Sequence, residues 1–232
     1  MNRFAVILTH NRPELLDQCV AAIGPQVDMV IVVDNASDPP VKLEDVTCDG
    51  IDAGHPDGDV HWRTTLITVP DQPPNLSKLW RTGIDAAIEL GAAHIAVLCD
   101  DAIAPPGWFD AVAAAMIETG SVVGCSDPFG HLPPGQTRVK REPDSAIMER
   151  MPGWAWVLDP VSPVRPDGAL HWWFGDTDID WQARKAGGMV MVGGFPVPNL
   201  RPNDFTNSVP GLATRAGLDG EAFVIKHGWR PW

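Results

Sequence analysis

The sequence predicts an α/β fold, a mostly parallel central sheet flanked by helices, with a loop-rich C-terminal region. Three observations predict it. The apolar runs Phe4–Leu8, Met29–Val33 and Ile95–Cys99 are too short for independent helices and lack strict alternation, so they suit strands covered on both faces. Between them lie stretches with apolar residues at helical spacing. Each run ends in polar and turn-forming residues: Thr9 to Pro13, Asp34 to Asp38, and Asp100–Asp101.

Taken in order, Arg3–Thr9 is a strand and His10–Asn11–Arg12–Pro13 a turn, with Pro13 in the first turn of a helix. That helix carries Leu15, Leu16, Cys19, Val20 and Ile23 and stops at Gly24–Pro25. Strand Met29–Val33 completes a βαβ unit, whose crossover should be right-handed. Val41–Arg63 is acidic and aperiodic and reads as a surface excursion; its Asp52, His55, Asp57, Asp59 and His61 match no compact metal-ligand spacing. Thr64–Val69 is a strand, and Asn75 caps a helix bearing Leu76, Leu79, Trp80, Ile84, Ala87 and Ile88. Gly91 ends that helix before the strand His94–Cys99. A helix follows from Trp108, then a strand Ser121–Cys125.

Asp127 to Pro152 is a long proline-rich connection, a candidate lid. Gly153–Leu158 resumes a strand, an acidic knot leads into a helix ending at Gly187–Gly188, and Met189–Gly193 is the last strand. Gly194–Trp232 reads as largely irregular.

Composition narrows the function. The chain has 232 residues, with 17 Lys and Arg against 30 Asp and Glu, a net charge of −13. That disfavours a broad nucleic-acid or anionic-membrane surface. Cys19, Cys48, Cys99 and Cys125 show no CxxC spacing, and Cys19, Cys99 and Cys125 lie in apolar segments, as buried thiols of a reducing compartment would. The chain has no leader pattern and no apolar run of about 18 residues, so a cytoplasmic protein with no membrane span is expected.

In open α/β sheets the ligand crevice lies outside the carboxyl ends of the strands. If the strands run parallel, Thr9–Arg12, Asp34 and Asp100–Asp101 line one crevice. Two adjacent carboxylates repel unless a cation sits beside them, and hard oxygen ligands suit Mg²⁺ or Mn²⁺ shared with a substrate phosphate. The alternative is that the pair ends its strand and caps the next helix. Neither G-x-G-x-x-G after the first strand nor G-x-x-x-x-G-K-[ST] occurs, which disfavours dinucleotide and P-loop folds. In the acidic knot, Thr177 as N-cap would put Asp180 at N3 to close a capping box and pair with Arg184, and Asp176 would serve the preceding turn. Asp178 is then left for chemistry or for the helix dipole.

These residues resemble the family 2 glycosyltransferases, which have the GT-A nucleotide-sugar-binding fold. The resemblance runs from Val6 to about Gly188. It rests on Leu8–Thr9–His10–Asn11–Arg12–Pro13, Val32–Val33–Asp34–Asn35–Ala36–Ser37, Asn75 to Ile84, Leu98–Cys99–Asp100–Asp101, and Gly153 through Asp178–Ile179–Asp180–Trp181 to Arg184 and Gly187. It implies a nucleotide-sugar-binding α/β half over 1–126, an acceptor-side half of the same domain over 127–195, and an irregular tail over 196–232.

It also implies site roles. Asp34 would contact the donor base, with Leu8, Thr9 and His10 walling its pocket. Arg12, Lys78 or Arg81 would face the diphosphate, Asn75 opening the helix that carries the last two. Asp100 would lie near the ribose. Asp101 would hold Mn²⁺ or Mg²⁺, with His227 as a candidate further ligand. Asp178 would be the base of an inverting transfer, and Gly153 and Trp154 would line the acceptor side, with Trp156, Trp172 and Trp173 as further aromatic faces. The chain departs from the family where His10 replaces a common tyrosine, Cys99 the first of three acids, and Thr177 a common glutamate. The expected partners are a nucleoside-diphosphate sugar and an unidentified hydroxyl acceptor, whether saccharide, protein or modified base. A nucleotidyltransferase would need a glycine-rich loop where Leu8–Pro13 has none. A nucleotide-sugar-binding protein without turnover, and a transferase acting on DNA bases through Arg138–Lys140–Arg141, remain as alternatives.

Overall fold

The computed structural model describes residues 2–42, 62–70, 74–143, 149–200 and 211–228. Cys48 and the Asp52–His61 acidic stretch lie outside them. The chain builds β1 (Arg3–Thr9), α1 (Pro13–Ile23), β2 (Met29–Asp34), β3 (Arg63–Thr68), α2 (Leu76–Glu89), β4 (His94–Cys99), α3 (Trp108–Thr119) and β5 (Val123–Ser126). Then come β6 (Thr137–Lys140), β7 (Ala155–Leu158), α4 (Gly175–Ala186), β8 (Met189–Val192) and α5 (Leu212–His227). One sheet of eight strands runs in the order β3-β2-β1-β4-β7-β5-β8-β6. Strands β3, β2, β1 and β4 are mutually parallel; β7 is antiparallel to both neighbours, and β6 is antiparallel to β8.

Alternation along each strand divides the core in two. Ala5, Ile7, Val30, Val32, Ala96 and Leu98 face α1 and α3. Phe4, Val6, Met29, Ile31, Ile95 and Val97 face the other way, with Leu79, Trp80 and Ile84 of α2 and Ile179 and Ala183 of α4. Covering both faces is what allows the uninterrupted apolar runs. Trp156 is fully buried there, edge-on to Trp80 with ring centroids 5.9 Å apart, so it is core and not a sugar platform.

Several expectations hold at the level of local chemistry. Pro13 opens α1, and the Asn75 side chain accepts the Lys78 N–H as N-cap of α2. Cys19 and Cys125 are buried free thiols, while Cys99 is partly exposed. No helix among the described residues is long and apolar enough to cross a membrane.

Two stretches differ. The 127–152 connection, expected as a lid, contains edge strand β6, whose Arg138 and Lys140 both pair with Glu149. The tail expected to be irregular forms the sixteen-residue helix α5, starting after Gly211 at φ +89° and ending on Gly228 at φ +84°, whose N–H caps Val224 O. It escapes a periodicity search because, among its described side chains, Phe223 is the one fully buried apolar residue, packed on Trp181 and Leu170. Polar contacts hold the rest.

Helix α2 lies against β1 because Gly83 has no side chain. A Cβ there would stand 2.3 Å from Val6 Cγ1 and 3.0 Å from Val33 Cγ2. Gly83→Ala gains up to about 1 kcal/mol of helix propensity but overpacks a rigid core, so it should lower stability by about 1–2 kcal/mol net. Thermal denaturation checks this, and Val6→Ala in the same chain should recover part of the loss.

Candidate functional site

The crossing of the chain from β3 back to β4 makes β1 and β4 neighbours, and in open α/β sheets such a reversal of strand order is where ligands bind, outside the carboxyl ends of the strands. Register brings the polar strand ends together: Thr9 lies opposite Asp34, and Leu8 opposite Cys99. Leu8 itself is buried, and its carbonyl accepts the Asp100 N–H at 3.1 Å.

Asp34 is fully buried and stapled into its own turn. Its Oδ1 accepts the Ser37 N–H at 3.1 Å and the Ser37 hydroxyl at 2.5 Å. His10 Nδ1 lies 2.7 Å from Asn35 O, and His10 Nε2 lies 3.1 Å from Asn11 Nδ2. A carbonyl accepts and an amide NH₂ donates, so the Nδ1–H tautomer satisfies both contacts. Asn11, at φ +55°, ties the two loops together: its N–H donates to Ser37 Oγ and its Oδ1 accepts the Asp38 N–H.

Asp100 and Asp101 are the electrostatic centre. Arg12 spans them, with Nη2 2.6 Å from Asp100 Oδ1 and Nη1 2.9 Å from Asp101 Oδ2. Thr9 Oγ1 donates to Asp100 Oδ2 at 2.8 Å. Burial pushes the Asp100 carboxyl up to about 6, although Arg12 and the Thr9 hydroxyl pull it down. Asp101 Oδ1 is buried and has no hydrogen-bond partner. Cys99 stays a thiol, because burial and the charges of Asp101, Asp100 and Asp176 all raise its pKa. An orphaned carboxylate oxygen beside a second carboxylate suits a divalent cation that completes its shell with substrate phosphates and water. Among the described residues there is no group of three or more His, Cys, Asp or Glu side chains that could hold a metal.

Gly153 and Trp154, expected on the acceptor side, abut this edge. Trp154 O accepts the Cys99 N–H at 3.0 Å, and the Trp154 indole N–H donates to Val197 O. A Cβ on Gly153 would meet Asp176 Oδ2 at 2.9 Å, so only glycine admits that carboxylate. Asn75, besides its cap, donates to Gly168 O at 2.9 Å. Lys78 is exposed beside Gly168, and Arg81 is exposed with Asp85 Oδ2 at 3.4 Å from its Nε.

Helix α4 starts one turn earlier than the sequence implies. Phe174, at φ +64°, is the N-cap, and the Asp178 N–H donates to Phe174 O. Thr177 is therefore not the cap, and no Thr177–Asp180 capping box forms. The Asp180–Arg184 pair does form, buried and bidentate, with both contacts at 2.8 Å. Asp178 lies inside the helix, fully buried, and faces α5: His227 Nε2 is 2.7 Å from Oδ1, Lys226 Nζ 2.9 Å and Gln182 Nε2 2.7 Å from Oδ2. His227 is thus brought to Asp178 and is in no three-donor group with Asp101. Asp176, two residues earlier, is partly exposed; its Oδ1 takes the Thr177 N–H, and burial raises its pKa against the pull of that bond and of Arg150. The sequence assigns Asp176 to the preceding turn, whereas the structure places it in the first turn of α4. No local signal announces that early start, because Phe174 takes a left-handed backbone that a bulky residue rarely adopts.

A second missed residue is Asp219 of α5. It is fully buried, and its Oδ2 accepts the N–H groups of both Trp172 and Trp173, at 2.8 and 2.9 Å. The Trp173 indole N–H donates to Leu212 O. Helix α5 therefore grips the strap leading into α4 as well as α4 itself.

No protein-family model and no curated protein matches the sequence. Solved structures do match. S. aureus TarS 1–349 has a TM-score of 0.61 at 12% identity, over 93% of this chain and 65% of that one. TarS 1–349 in complex with UDP-GlcNAc has a TM-score of 0.63 at 10% identity, over 97% of this chain and 67% of that one. GalNAc-T7 with UDP, GalNAc and Mn²⁺ has a TM-score of 0.59 at 12% identity, over 85% and 43%. The chain spans about two thirds of TarS 1–349 and 43% of the longer TarS structure. These neighbours are glycosyltransferases, and this chain, an eight-stranded α/β sheet flanked by helices, has a fold of their GT-A-like kind.

Proposed function

We propose that this chain is an inverting, metal-dependent glycosyltransferase of the family 2 type, moving a sugar from a nucleoside-diphosphate donor to an acceptor hydroxyl. The observation that carries the reading is the meeting of Thr9, Arg12, Asp34, Asp100 and Asp101 at one parallel-strand edge, next to Gly153 and Asp176. Support also comes from the fold neighbours solved with UDP, with UDP-GlcNAc, and with UDP, GalNAc and Mn²⁺.

The donor base would lie between His10 and the Asp34 turn, against Leu8 and Thr9. The diphosphate would extend toward Asp100, Asp101 and Arg12, with Asn75, Lys78 and Arg81 of α2 as the outer donor side. Asp101, with Asp100 beside it, would hold Mn²⁺ or Mg²⁺, which when bound supplies Lewis-acid neutralisation of the departing diphosphate.

The base of the proposed mechanism is Asp176. A general base needs a free lone pair within reach of the acceptor proton. Both oxygens of Asp178 already accept from Lys226, His227 and Gln182, whereas Asp176 is partly open next to Gly153 and Trp154. Asp176 takes the acceptor's proton, the acceptor oxygen bonds to the anomeric carbon, and the bond to the diphosphate breaks with its electron pair leaving on the diphosphate. Gly153 and Trp154 border the acceptor. Asp178 anchors the helix that carries the base.

The reading without turnover would leave Asp176 idle; release of free nucleoside diphosphate separates the two. A DNA-base acceptor draws no support from Arg138, Lys140 and Arg141. The first two pair with Glu149, and Arg141 donates to the Thr119 and Gly187 carbonyls.

Asp176→Asn should lower nucleotide release from a UDP-sugar by about 10²–10⁴-fold while calorimetry with Mn²⁺ shows near-normal UDP affinity. Asp178→Asn should instead lower the melting temperature, by loosening contacts to α5. Loss of release in Asp178→Asn at unchanged melting temperature, with Asp176→Asn still active, would move the base to Asp178.

The pH dependence follows from the same assignment. Asp176 works ionised, and its raised pKa means activity climbs with pH through a midpoint above the usual carboxylate value of about 4. A kcat–pH profile with its acidic limb at or below that value would contradict the assignment. Asp101→Ala should remove the Mn²⁺ dependence of UDP affinity; an unchanged calorimetric response to Mn²⁺ would take Asp101 out of the metal site.

A further inference from the structure

The turn after β1 does more than place a positive charge near a phosphate. Arg12 is the N-cap residue of α1, its backbone carbonyl accepting the Leu16 N–H at 3.0 Å, so its stem starts from a fixed point. From there the guanidinium lies across the end of β4, one nitrogen to each carboxylate. Asp100 spends its other oxygen on the Thr9 hydroxyl. Asp101 is only 5% exposed, and its Oδ1 is buried with no partner. One guanidinium thus compensates one of two charges; Asp100 Oδ1 has that ion pair but no hydrogen bond, and Asp101 Oδ1 has no hydrogen bond either.

We propose that Arg12 is the resident counter-cation of the Asp100–Asp101 pair, and that a divalent ion binds at Asp101 only in competition with it. The inference rests on reading this pair as the cation-holding end of a nucleoside-diphosphate site. A divalent ion brings two positive charges to a site whose residual charge is a single negative one. With the guanidinium in place, the ion alone meets like charge at close range. A nucleoside diphosphate adds negative charge and further oxygen ligands, which reverses that balance. Ion and nucleotide therefore bind cooperatively, each strengthening the other by the same factor, and Arg12 sets the size of the coupling.

The test titrates Mn²⁺ into the full chain, without nucleotide and with saturating UDP, and follows free Mn²⁺ by electron paramagnetic resonance. Wild type should bind Mn²⁺ weakly alone and at least about tenfold more tightly with UDP. Arg12→Gln should bind Mn²⁺ alone about tenfold more tightly than wild type and show a smaller effect of UDP, and Arg12→Lys should fall between. Unchanged or weaker Mn²⁺ binding by a folded Arg12→Gln chain overturns the proposal. So does a gain that survives addition of Asp101→Ala, since the ion would then sit elsewhere. If Arg12→Gln does not fold, Arg12→Lys decides: Mn²⁺ should raise its melting temperature more than that of wild type, and an equal or smaller rise overturns the proposal. Should UDP fail to bind wild type while Arg12→Gln still gains Mn²⁺ affinity that Asp101→Ala removes, the transferase reading falls and the role of Arg12 stands.

Discussion

The structure turns on a charge problem at the end of β4. Asp100 and Asp101 leave a strand buried on both faces, where water cannot screen them, and two like charges a few ångströms apart there repel by several kcal/mol. The fold answers with Arg12, brought from the next strand by parallel pairing of β1 with β4 and by the turn that opens α1. A protein with no use for the pair would reach stability more simply with apolar or neutral residues, since buried ion pairs seldom repay their desolvation. Keeping both carboxylates, with an oxygen of each left without a hydrogen bond, is a cost that a binding site would explain.

The rest of the crevice follows from topology. Strand order β3-β2-β1-β4 sets the carboxyl ends of β1 and β2 beside that of β4, so one edge collects the Thr9, Asp34 and Asp100 side chains without any loop having to travel. The antiparallel β7 then enters next to β4, and its leading residues Gly153 and Trp154 bring the second half of the chain to the same place. Gly153 matters because a Cβ there would stand 2.9 Å from Asp176 Oδ2.

The strands, α1, α2 and the strand-end carboxylates were legible in the sequence because each is a local signal: an apolar run, a helical stripe, a cap or a turn. Asn75 illustrates this, since its capping bond to Lys78 involves residues three apart. The failures are non-local. Helix α5 lacks a continuous apolar stripe and is fixed by Asp219, Lys226 and His227 reaching residues some 45–60 positions away in the chain. Strand β6 is a four-residue edge strand whose partner β8 lies about 50 residues on. The start of α4 depends on Phe174 adopting a left-handed backbone, a conformation that a bulky residue rarely takes and that propensity does not foresee. That single misjudged turn put the N-cap at Thr177 and left Asp176 to the preceding turn.

Seen together, the contacts of α5 explain why a helix so poor in core residues is present. Asp219 collects the two N–H groups of Trp172 and Trp173, in the strap just before α4. Two turns later, Lys226 and His227 reach Asp178, one turn inside α4, and Phe223 between them packs on Trp181. The first turn of α4, which carries the proposed base Asp176, is therefore held from both ends. A carboxylate that must keep a lone pair open cannot also be the anchor of its own helix. On the proposed assignment, dividing these tasks between Asp176 and Asp178 lets one residue be fully satisfied and the other stay available, and the price is a helix whose contacts are mostly polar.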